Sequence, residues 1–229
     1  MKLEDLPTPC LVLELGILKR NLARMADAVA RHPGLKLRPH MKTAKSLAVA
    51  ALAAPNHGPI TVSTIAEARY FAGGGYRDQI YAVGITPQKL AAIAAINAQG
   101  NDVKIITDDL EVASAIAAHP GILPTLIEVD CGEGRGGIAP DSAVLAEIAQ
   151  RLGARCAGIM THAGHSYAER NEDGMRKIAE AERAGAVLAA ERLRGMGITP
   201  RVVSAGSSPT ALYGQSMAGI TDIRAGVYM

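Results

Sequence analysis

Short apolar and β-branched runs alternate along the chain with Ala-rich segments of helical periodicity. The apolar runs predict eight strands, at residues 36–41, 60–63, 79–83, 103–107, 123–129, 155–160, 201–204 and 223–228. The segments between them predict helices at residues 46–54, 66–72, 87–99, 110–118, 142–152 and 172–195. Strands and helices that alternate at this spacing are typical of a parallel sheet.

Eight strands in succession favour a closed (β/α)8 barrel of the TIM type over an open doubly wound sheet. The run at residues 125–129 is too apolar to face water on one side, as expected for a strand buried on both faces. An open sheet would also need a Gly-rich dinucleotide turn after its first strand, whereas residues 39–42 read PHMK. We therefore predict an α/β fold with one barrel domain over residues 1–229.

The two ends of the chain add to this picture. Residues 8–15 predict an extra strand, and a helix follows from about Ile17 to Arg31, so that N-terminal additions cover about residues 8–31. At the other end the chain stops at Met229, directly after the eighth predicted strand. Because chain ends normally lie exposed and frayed, we expect a truncated chain.

Composition and charge narrow the class of partner. The 24 Lys and Arg against 22 Asp and Glu give a formal net charge of +2, which is not the basic footprint of a nucleic-acid-binding protein. No Trp and one Phe leave no aromatic surface for single strands. Three widely spaced cysteines form no disulfide framework or zinc knuckle. Without a signal peptide or a membrane-length apolar run, we expect a cytoplasmic protein that acts on a small molecule.

The chemistry-bearing residues follow the strands, where the active sites of such barrels lie. Lys42, after the first strand, would form a Schiff base with a carbonyl if burial lowered its pKa. The alternative is a solvated loop lysine, which fits Lys45 better. The stretch 206–208, Gly-Ser-Ser, offers N–H groups and hydroxyls to an anion at the standard phosphate position, or is an ordinary turn. A Schiff-base lysine together with a phosphate cradle indicates pyridoxal phosphate.

Histidines and an arginine complete the candidate chemistry. His162 either lies against a cofactor ring or is a structural residue at a strand end. His40, His162 and His165 could instead form a metal site, although the spacing of the last two on a strand-to-loop segment is a weak signal. Arg135 places a planar, positively charged guanidinium in a loop, residues 132–137, that contains four glycines. This loop matches neither a dinucleotide fingerprint nor a P-loop.

Five motifs taken together resemble a known family. They are RPHMKT (38–43), EVDCGEGRGG (128–137), GIMTHAGHSY (158–167), GSSPT (206–210) and DIRAGVY (222–228). In this order they resemble the D-threonine aldolase and D-serine dehydratase family of fold-type III pyridoxal phosphate enzymes. The N-terminal domain of that family is alanine-racemase-like. The resemblance runs over essentially the whole chain.

The resemblance implies roles for individual residues on the aldehyde and ring side of the cofactor. Lys42 would be the Schiff-base lysine and, with His40, a catalytic residue. Arg135 would contact the phenolic side of the cofactor ring. His162 would stack on the face of that ring.

On the phosphate side the resemblance implies a second set of contacts. Gly206, Ser207 and Tyr228 would hold the phosphate, and Thr64 would line the pocket with His40. One departure from the family pattern is Ala44, where many relatives carry a histidine two positions after the lysine.

The implied activity is a pyridoxal-phosphate-dependent lyase for D-β-hydroxy-α-amino acids. We expect the D-threonine aldolase type, which gives glycine and an aldehyde, with D-serine dehydratase, which gives pyruvate and ammonia, as the alternative. A non-catalytic pyridoxal phosphate carrier or inactive fragment, and an unrelated barrel with a structural Lys42, stay open. The family continues into a C-terminal β-domain that carries Mn²⁺ or Zn²⁺ ligands. We expect that domain and those ligands to be absent here, and a homodimer would be ordinary.

Overall fold

A computed structural model describes residues 2–229 and contains one eight-stranded parallel sheet. The strands are β1 (Lys36–Pro39), β2 (Ile60–Val62), β3 (Asp78–Gly84), β4 (Asp102–Thr107), β5 (Thr125–Val129), β6 (Cys156–Thr161), β7 (Val202–Ala205) and β8 (Asp222–Ala225). The helices are α1 (Leu15–Ala30), α2 (Leu47–Ala53), α3 (Ile65–Gly73), α4 (Leu90–Asn97), α5 (Leu110–Ala118), α6 (Ala143–Leu152), α7 (Glu172–Gly195) and α8 (Ser208–Tyr213). The predicted alternation is confirmed.

The sheet closes into a barrel at the seam between its first two strands. Its order is β1-β8-β7-β6-β5-β4-β3-β2, with every pair parallel. A single bridge between His40 and Thr61 joins the two remaining edges, where the Met41 N–H donates to the Thr61 carbonyl at 2.8 Å. The predicted α/β barrel is therefore confirmed, and closure places His40 on the seam.

Side-chain caps define where most of the surrounding helices begin. Ser46, Thr64, Asp109, Ser142 and Asn171 each accept a backbone N–H from the first turn of the helix that follows. Such caps satisfy N–H groups that have no partner inside the helix, and each contributes roughly 0.5–2 kcal/mol. Because these caps follow directly after strands or turns, the strand-to-helix connections are short and fixed. No helix within residues 2–229 is long and apolar enough to cross a membrane.

The predicted extra strand at residues 8–15 is wrong. Residues 8–14 have no strand assignment, Leu15 already belongs to α1, and Leu11 and Val12 are exposed. A closed barrel offers no free edge to an additional strand, which is the physical reason for the error. The helix predicted from about Ile17 to Arg31 is confirmed as α1. Helix α8 was not predicted, because its residues were interpreted as part of an anion-binding turn.

The barrel interior divides into an apolar middle and a charged lower end. The middle is filled by Ile80, Ile106, Leu126, Ala157, Met160 and Val202. Below it, at the amino ends of the strands, lies the lower charge network, which consists of Arg38, Asp78, Asp102, Lys104 and Asp222. Arg38 Nη1 is 2.8 Å from Asp78 Oδ1, and Arg38 Nε is 3.3 Å from Asp222 Oδ1. Lys104 Nζ pairs with Asp78 at 2.9 Å and with Asp102 at 2.7 Å.

Candidate active site

Two adjoining cavities open at the carboxyl ends of the strands and share His40 and Lys42. We call these two cavities together the mouth of the barrel. The larger, of about 390 Å³, is also lined by Ser63, Ala82, Val83, Gly84, Asp108, Glu128, Arg135 and Gly136. The smaller, of about 30 Å³, is also lined by His162, Tyr167, Gly206, Ser207, Arg224, Ala225, Gly226 and Val227. A cavity of about 570 Å³ lies on the outer flank beside α1 and α8, away from the strand ends, so volume alone does not locate the site.

Two neighbouring lysines lie in different surroundings. Lys42 is exposed in the turn after β1 and lines both cavities of the mouth. From the sequence we expect a buried Lys42 at the end of a strand. In the structure β1 ends at Pro39, so Lys42 lies beyond the strand and is not buried. Lys45 is also exposed, but its Nζ lies 3.4 Å from Glu67 Oε1. Lys42 therefore lines the mouth, whereas the amine of Lys45 is paired with Glu67 of α3.

His40 is held as a neutral ring in the mouth. Its Nδ1 accepts the Lys42 backbone N–H at 3.4 Å, so the ring proton belongs on Nε2, which lies 3.4 Å from Ser63 Oγ. Burial, together with the nearby positive charges of Lys42 and Arg224, lowers the pKa of His40 to about 3. At neutral pH this side chain is therefore uncharged, and it fixes the turn that carries Lys42.

His162 is fixed by the opposite ring nitrogen. Its Nδ1 lies 3.0 Å from the Gly206 carbonyl oxygen, which can only accept, so Nδ1 carries the proton. Burial, and then the positive charge of Arg224, lowers the pKa of His162 below its ordinary value. The imidazole is therefore neutral, with Nε2 unprotonated. The structure brings His162 and Lys42 to the same small cavity.

The loop after β7 depends on a glycine. Gly206 has a φ of +126°, and a Cβ there would meet the Arg224 carbonyl oxygen at 2.5 Å. Its N–H donates to Glu182 Oε1 at 2.8 Å, and the Ser207 N–H donates to Thr210 Oγ1 at 2.9 Å. Two of the three N–H groups that the sequence predicts for an anion are thus engaged by the protein. The Ser207 hydroxyl lines the cavity and lies 2.7 Å from Ser166 Oγ.

Two buried hydroxyls, each on a residue next in sequence to one that lines the smaller cavity, have no hydrogen-bond partner among the described residues. They are Ser208 Oγ and Tyr228 Oη. Burial raises the pKa of Tyr228, so its hydroxyl keeps its proton. An unsatisfied buried hydroxyl costs roughly 1–3 kcal/mol, which makes such atoms candidates for a ligand contact. The Ser208 N–H is already engaged and donates to Tyr167 Oη at 3.1 Å.

The larger cavity is lined by charged groups on its far side. Arg135 is mostly exposed and lies 3.5 Å from Glu133. Burial, and then the negative charge of Asp108, raises the pKa of Glu128. Asp108 Oδ2 in turn accepts the Gly137 N–H at 2.7 Å, which ties the end of β4 to the glycine loop. The larger cavity is therefore lined by an exposed arginine and by the two carboxylates of Asp108 and Glu128.

Asp130 shapes the turn that begins the glycine loop. Its Oδ1 accepts three backbone N–H groups, from Gly132, Glu133 and Gly134, at 3.0, 3.0 and 3.1 Å. Although burial opposes the effect, these donors hold the pKa of Asp130 below its usual range. The aspartate is therefore a local turn former, and the loop it shapes carries Arg135 to the cavity.

Thr64 has a structural role in the cofactor-free chain. Its Oγ1 accepts the Glu67 N–H at 3.0 Å as the cap of α3, and its neighbour Ser63 lines the larger cavity instead. A contact between Thr64 and a cofactor stays a prediction.

The alternative of a three-histidine metal site is not supported by the geometry. His40 contacts Ser63, His162 contacts Gly206, and His165 Nδ1 is buried without a partner among the described residues. No group of three or more His, Cys, Asp or Glu side chains within residues 2–229 is arranged to hold a metal ion.

Sequence analysis missed three residues of this region: Tyr167, Arg224 and Glu182. The first two lie inside quoted motifs, so their positions carried a signal without a role. Arg224 is 4% exposed and donates to Ser204 Oγ at 2.8 Å and to the Thr161 carbonyl. Glu182 gave no signal, because α7 is rich in charged residues that mostly face water.

Comparison with known proteins adds a family and several relatives. The family model "Alanine racemase, N-terminal domain" matches residues 13–229. D-threo-3-hydroxyaspartate dehydratase from Delftia sp. strain HT23 is 41% identical over 98% of this chain and 61% of its own length. 3-Hydroxy-D-aspartate aldolase from Paracoccus denitrificans is 31% identical over 98% of this chain and 60% of its own.

Two solved structures are similar to this chain over nearly its whole length. The crystal structure of an alanine racemase-like protein from Idiomarina loihiensis superimposes with a TM-score of 0.93 at 38% identity, over 98% of this chain and 61% of that one. The structure of the Delftia dehydratase gives the same TM-score at 40% identity, with the same coverage of the two chains. The chain thus spans about 60% of the length of the curated relatives it matches.

Proposed function

Because this chain belongs to the alanine racemase N-terminal domain family, we propose that it is the pyridoxal-phosphate-binding barrel of a lyase for D-3-hydroxy amino acids. In this proposal residues 1–229 form one domain. The observation that carries it is the mouth itself. An exposed amine, Lys42, shares one cavity with a neutral His162 and the Gly206 loop. The buried hydroxyls of Ser208 and Tyr228, which follow lining residues in sequence, have no partner within residues 2–229.

The residues of the mouth fit the cofactor at both of its ends. Lys42 would bond to its aldehyde carbon, while Ser207, Ser208 and Tyr228 offer hydroxyls to its phosphate. Ser208 Oγ and Tyr228 Oη support this assignment because a phosphate oxygen would satisfy them. Bound there, pyridoxal phosphate supplies an electron sink for charge that develops at the substrate α-carbon.

On the ring side the chain supplies orientation and charge. His162 would lie against the ring as a neutral imidazole, since its proton is committed to Gly206. Arg135 would reach the phenolic oxygen from the larger cavity. His40 would hold the turn of Lys42 without adding a charge, because its pKa of about 3 keeps it neutral.

Lys42 Nζ would also be the group that moves a proton. The amine lines both cavities, so it can approach the substrate α-carbon from the smaller cavity while the 390 Å³ cavity holds the rest of the substrate. An amine placed there can exchange a proton with the α-carbon. Glu128, with its raised pKa, faces the same cavity as a second candidate proton carrier.

We assign dehydration as the first candidate reaction and aldol cleavage as the second. The higher identity to a D-threo-3-hydroxyaspartate dehydratase, 41%, favours dehydration, whereas the sequence motifs alone favoured the aldolase. The 31% identity to a 3-hydroxy-D-aspartate aldolase supports the second candidate. Both reactions begin with a D-3-hydroxy amino acid and differ in the bond broken at the β-carbon.

Cofactor binding is tested by absorbance with a matched lysine control. Adding pyridoxal phosphate to the 229-residue chain should give a band near ~420 nm from the Schiff base. The band should disappear in Lys42→Ala and persist in Lys45→Ala, and borohydride reduction followed by peptide mapping should mark Lys42. A band that survives in Lys42→Ala, or no band in well-folded protein, would overturn the proposal.

The reaction is tested by its products. With D-threo-3-hydroxyaspartate, dehydration gives oxaloacetate and ammonia, whereas aldol cleavage gives glyoxylate and glycine. The assay is run with and without added Mn²⁺ or Zn²⁺, and with D-threonine and D-serine as further substrates. Cofactor binding without turnover of any of these would favour a carrier or an inactive fragment over a lyase formed by these 229 residues.

A further inference from the structure

Helix α7 buries one carboxylate directly behind the mouth. Glu182 is 1% exposed, and the other buried residues of this helix are apolar: Ala179, Ala186, Ala189, Ala190 and Leu193. The small alanines let α7 pack closely on β6 and β7. A buried carboxylate is unfavourable unless hydrogen bonds and charge compensate it, so its contacts show what it is held for.

One oxygen of Glu182 joins two neighbouring loops of the site. Oε1 accepts the Gly206 N–H at 2.8 Å and the Thr161 hydroxyl at 3.0 Å. Arg224 supplies the compensating positive charge and donates to the Thr161 carbonyl. Thr161 is therefore held through both its side chain and its backbone.

The two residues that Glu182 contacts, Thr161 and Gly206, are both connected to His162. Thr161 immediately precedes His162 in the chain, and Gly206 accepts the His162 Nδ1 proton through its carbonyl at 3.0 Å. The same carboxylate oxygen thus contacts the residue before His162 and the N–H of Gly206, whose carbonyl fixes the imidazole proton. Without it, the Gly206 N–H would be buried and unpaired, and the loop would lose the orientation of its carbonyl.

We infer that Glu182 is a positioning residue, which sets the orientation and the Nδ1–H tautomer of His162 and the shape of the Gly206 loop. The value of this arrangement for catalysis rests on the proposed function. The alternative is that Glu182 only neutralises the buried charge of Arg224.

Two substitutions separate these roles. Glu182→Gln keeps an acceptor oxygen at the same reach but removes the negative charge. Glu182→Asp keeps the charge but withdraws the oxygen by one methylene from Gly206. A positioning role predicts that the Asp variant is impaired and the Gln variant is close to wild type. A purely compensating role predicts the reverse. Glu180, which pairs with Arg183 at the surface of the same helix, is the matched control for both changes.

The first readout needs no cofactor. Nitrogen-15 NMR of the imidazole in the cofactor-free chain distinguishes an Nδ1–H ring from an Nε2–H ring. We expect His162 to be Nδ1–H in wild type, in Glu182→Gln and in both Glu180 variants. We expect a mixture of the two tautomers in Glu182→Asp. A single Nδ1–H tautomer in a folded Glu182→Asp would overturn the inference.

The second readout is cofactor affinity. The Kd for pyridoxal phosphate should rise by about tenfold in Glu182→Asp, because one buried N–H loses its acceptor, and by less than about threefold in Glu182→Gln. If either variant fails to fold, Thr161→Val removes the hydroxyl that donates to Glu182. This variant should change the tautomer and the Kd in the same direction as Glu182→Asp. An unchanged tautomer and Kd in Thr161→Val would then refute the positioning role.

The two proposals fail separately. If wild type binds no pyridoxal phosphate, the proposed function fails, while the tautomer comparison still decides the role of Glu182. If wild type binds the cofactor but the Asp and Gln variants behave alike, the positioning role fails and the proposed function stands.

Discussion

The two ends of the barrel interior treat polar groups in opposite ways. At the lower end, the charge network pairs every carboxylate with a cation: Arg38 contacts Asp78 and Asp222, and Lys104 contacts Asp78 and Asp102. At the upper end, Ser208 and Tyr228 keep buried hydroxyls without partners, and two histidines are neutral. At the lower end each charge therefore has a partner of opposite sign, although Arg38 Nε makes no hydrogen bond among the described residues, whereas the two hydroxyls at the upper end have no partner there at all.

This difference indicates how the fold divides stability from function. Removing one partner of a buried ion pair is costly, since it leaves the other charge buried and uncompensated. Polar atoms left unpaired near the mouth lower stability by roughly 1–3 kcal/mol each, and they are the positions at which a ligand would bind. The free energy of unfolding should therefore respond differently to substitutions at the two ends.

The largest loss is expected at the lower end. Arg38→Met should lower the free energy of unfolding by about 3–5 kcal/mol, because Asp222 would remain buried without its cation. Urea unfolding followed by circular dichroism measures this. Arg176→Met, which breaks a surface pair with Glu172 at 2.9 Å, should change it by less than about 1 kcal/mol. Similar losses in the two variants would contradict the comparison.

A smaller loss is expected at the mouth for Gly206→Ala. The added Cβ would meet the Arg224 backbone, and the φ of +126° is unfavourable for alanine, so a loss of about 1–3 kcal/mol is expected. The cofactor band should also be lost. Gly195→Ala, at the end of α7 where a Cβ would meet no atom within 4 Å, should cause no loss. A stable Gly206→Ala that binds the cofactor normally would show that the loop is not under this constraint.

Acid should act on the two ends in different pH ranges. Folding lowers the pKa of His40 from 6.5 to about 3, so between these pH values the imidazole binds a proton in the unfolded chain but not in the folded one. Its stabilising contribution is therefore complete above pH 6.5 and is lost as the pH falls towards about 3. Between about pH 6 and pH 5 the His40 contribution to the free energy of unfolding should fall by up to about 1.4 kcal/mol, and His40→Asn should reduce the slope while His162, whose pKa is also lowered, keeps part of it. Urea titrations at the two pH values measure it, and equal slopes in both proteins would refute it.

The lower end should respond only in stronger acid. Although burial opposes it, hydrogen bonding and charge from Arg38 hold the pKa of Asp78 below its ordinary 3.8. Its contribution is therefore present above 3.8 and is lost as the pH falls through the lower folded value. Asp78→Asn should change the unfolding curve near pH 3 and leave the pH dependence between 5 and 6 unchanged.

The smallest effect on stability is expected for Lys42→Ala. The side chain is exposed, so the free energy of unfolding should stay within about 0.5 kcal/mol of wild type while cofactor binding disappears. Thermal unfolding without cofactor gives the first quantity and absorbance gives the second. A large loss of stability would mean that Lys42 supports the fold rather than a ligand.

Local signals carried most of the fold and part of the site. Apolar runs such as residues 125–129 mark buried strands whatever their neighbours, so the alternation could be predicted. Contacts between distant segments could not be predicted, because Arg38 meets Asp222 across 184 positions and Glu182 meets Gly206 from a helix rich in charge. Residues 8–14 were misassigned because apolar content does not reveal whether a sheet edge is free.

The single bridge between His40 and Thr61 gives the barrel one weakly joined seam. Along the other neighbouring strand pairs at least two residue pairs are in register, whereas β1 and β2 meet at one. Hydrogen exchange of the Met41 amide, which bonds across this seam, should therefore report local opening before the rest of the sheet exchanges. Since Lys42 is the next residue, such opening would widen the entrance beside the 30 Å³ cavity and give a bulky ligand a path into the mouth.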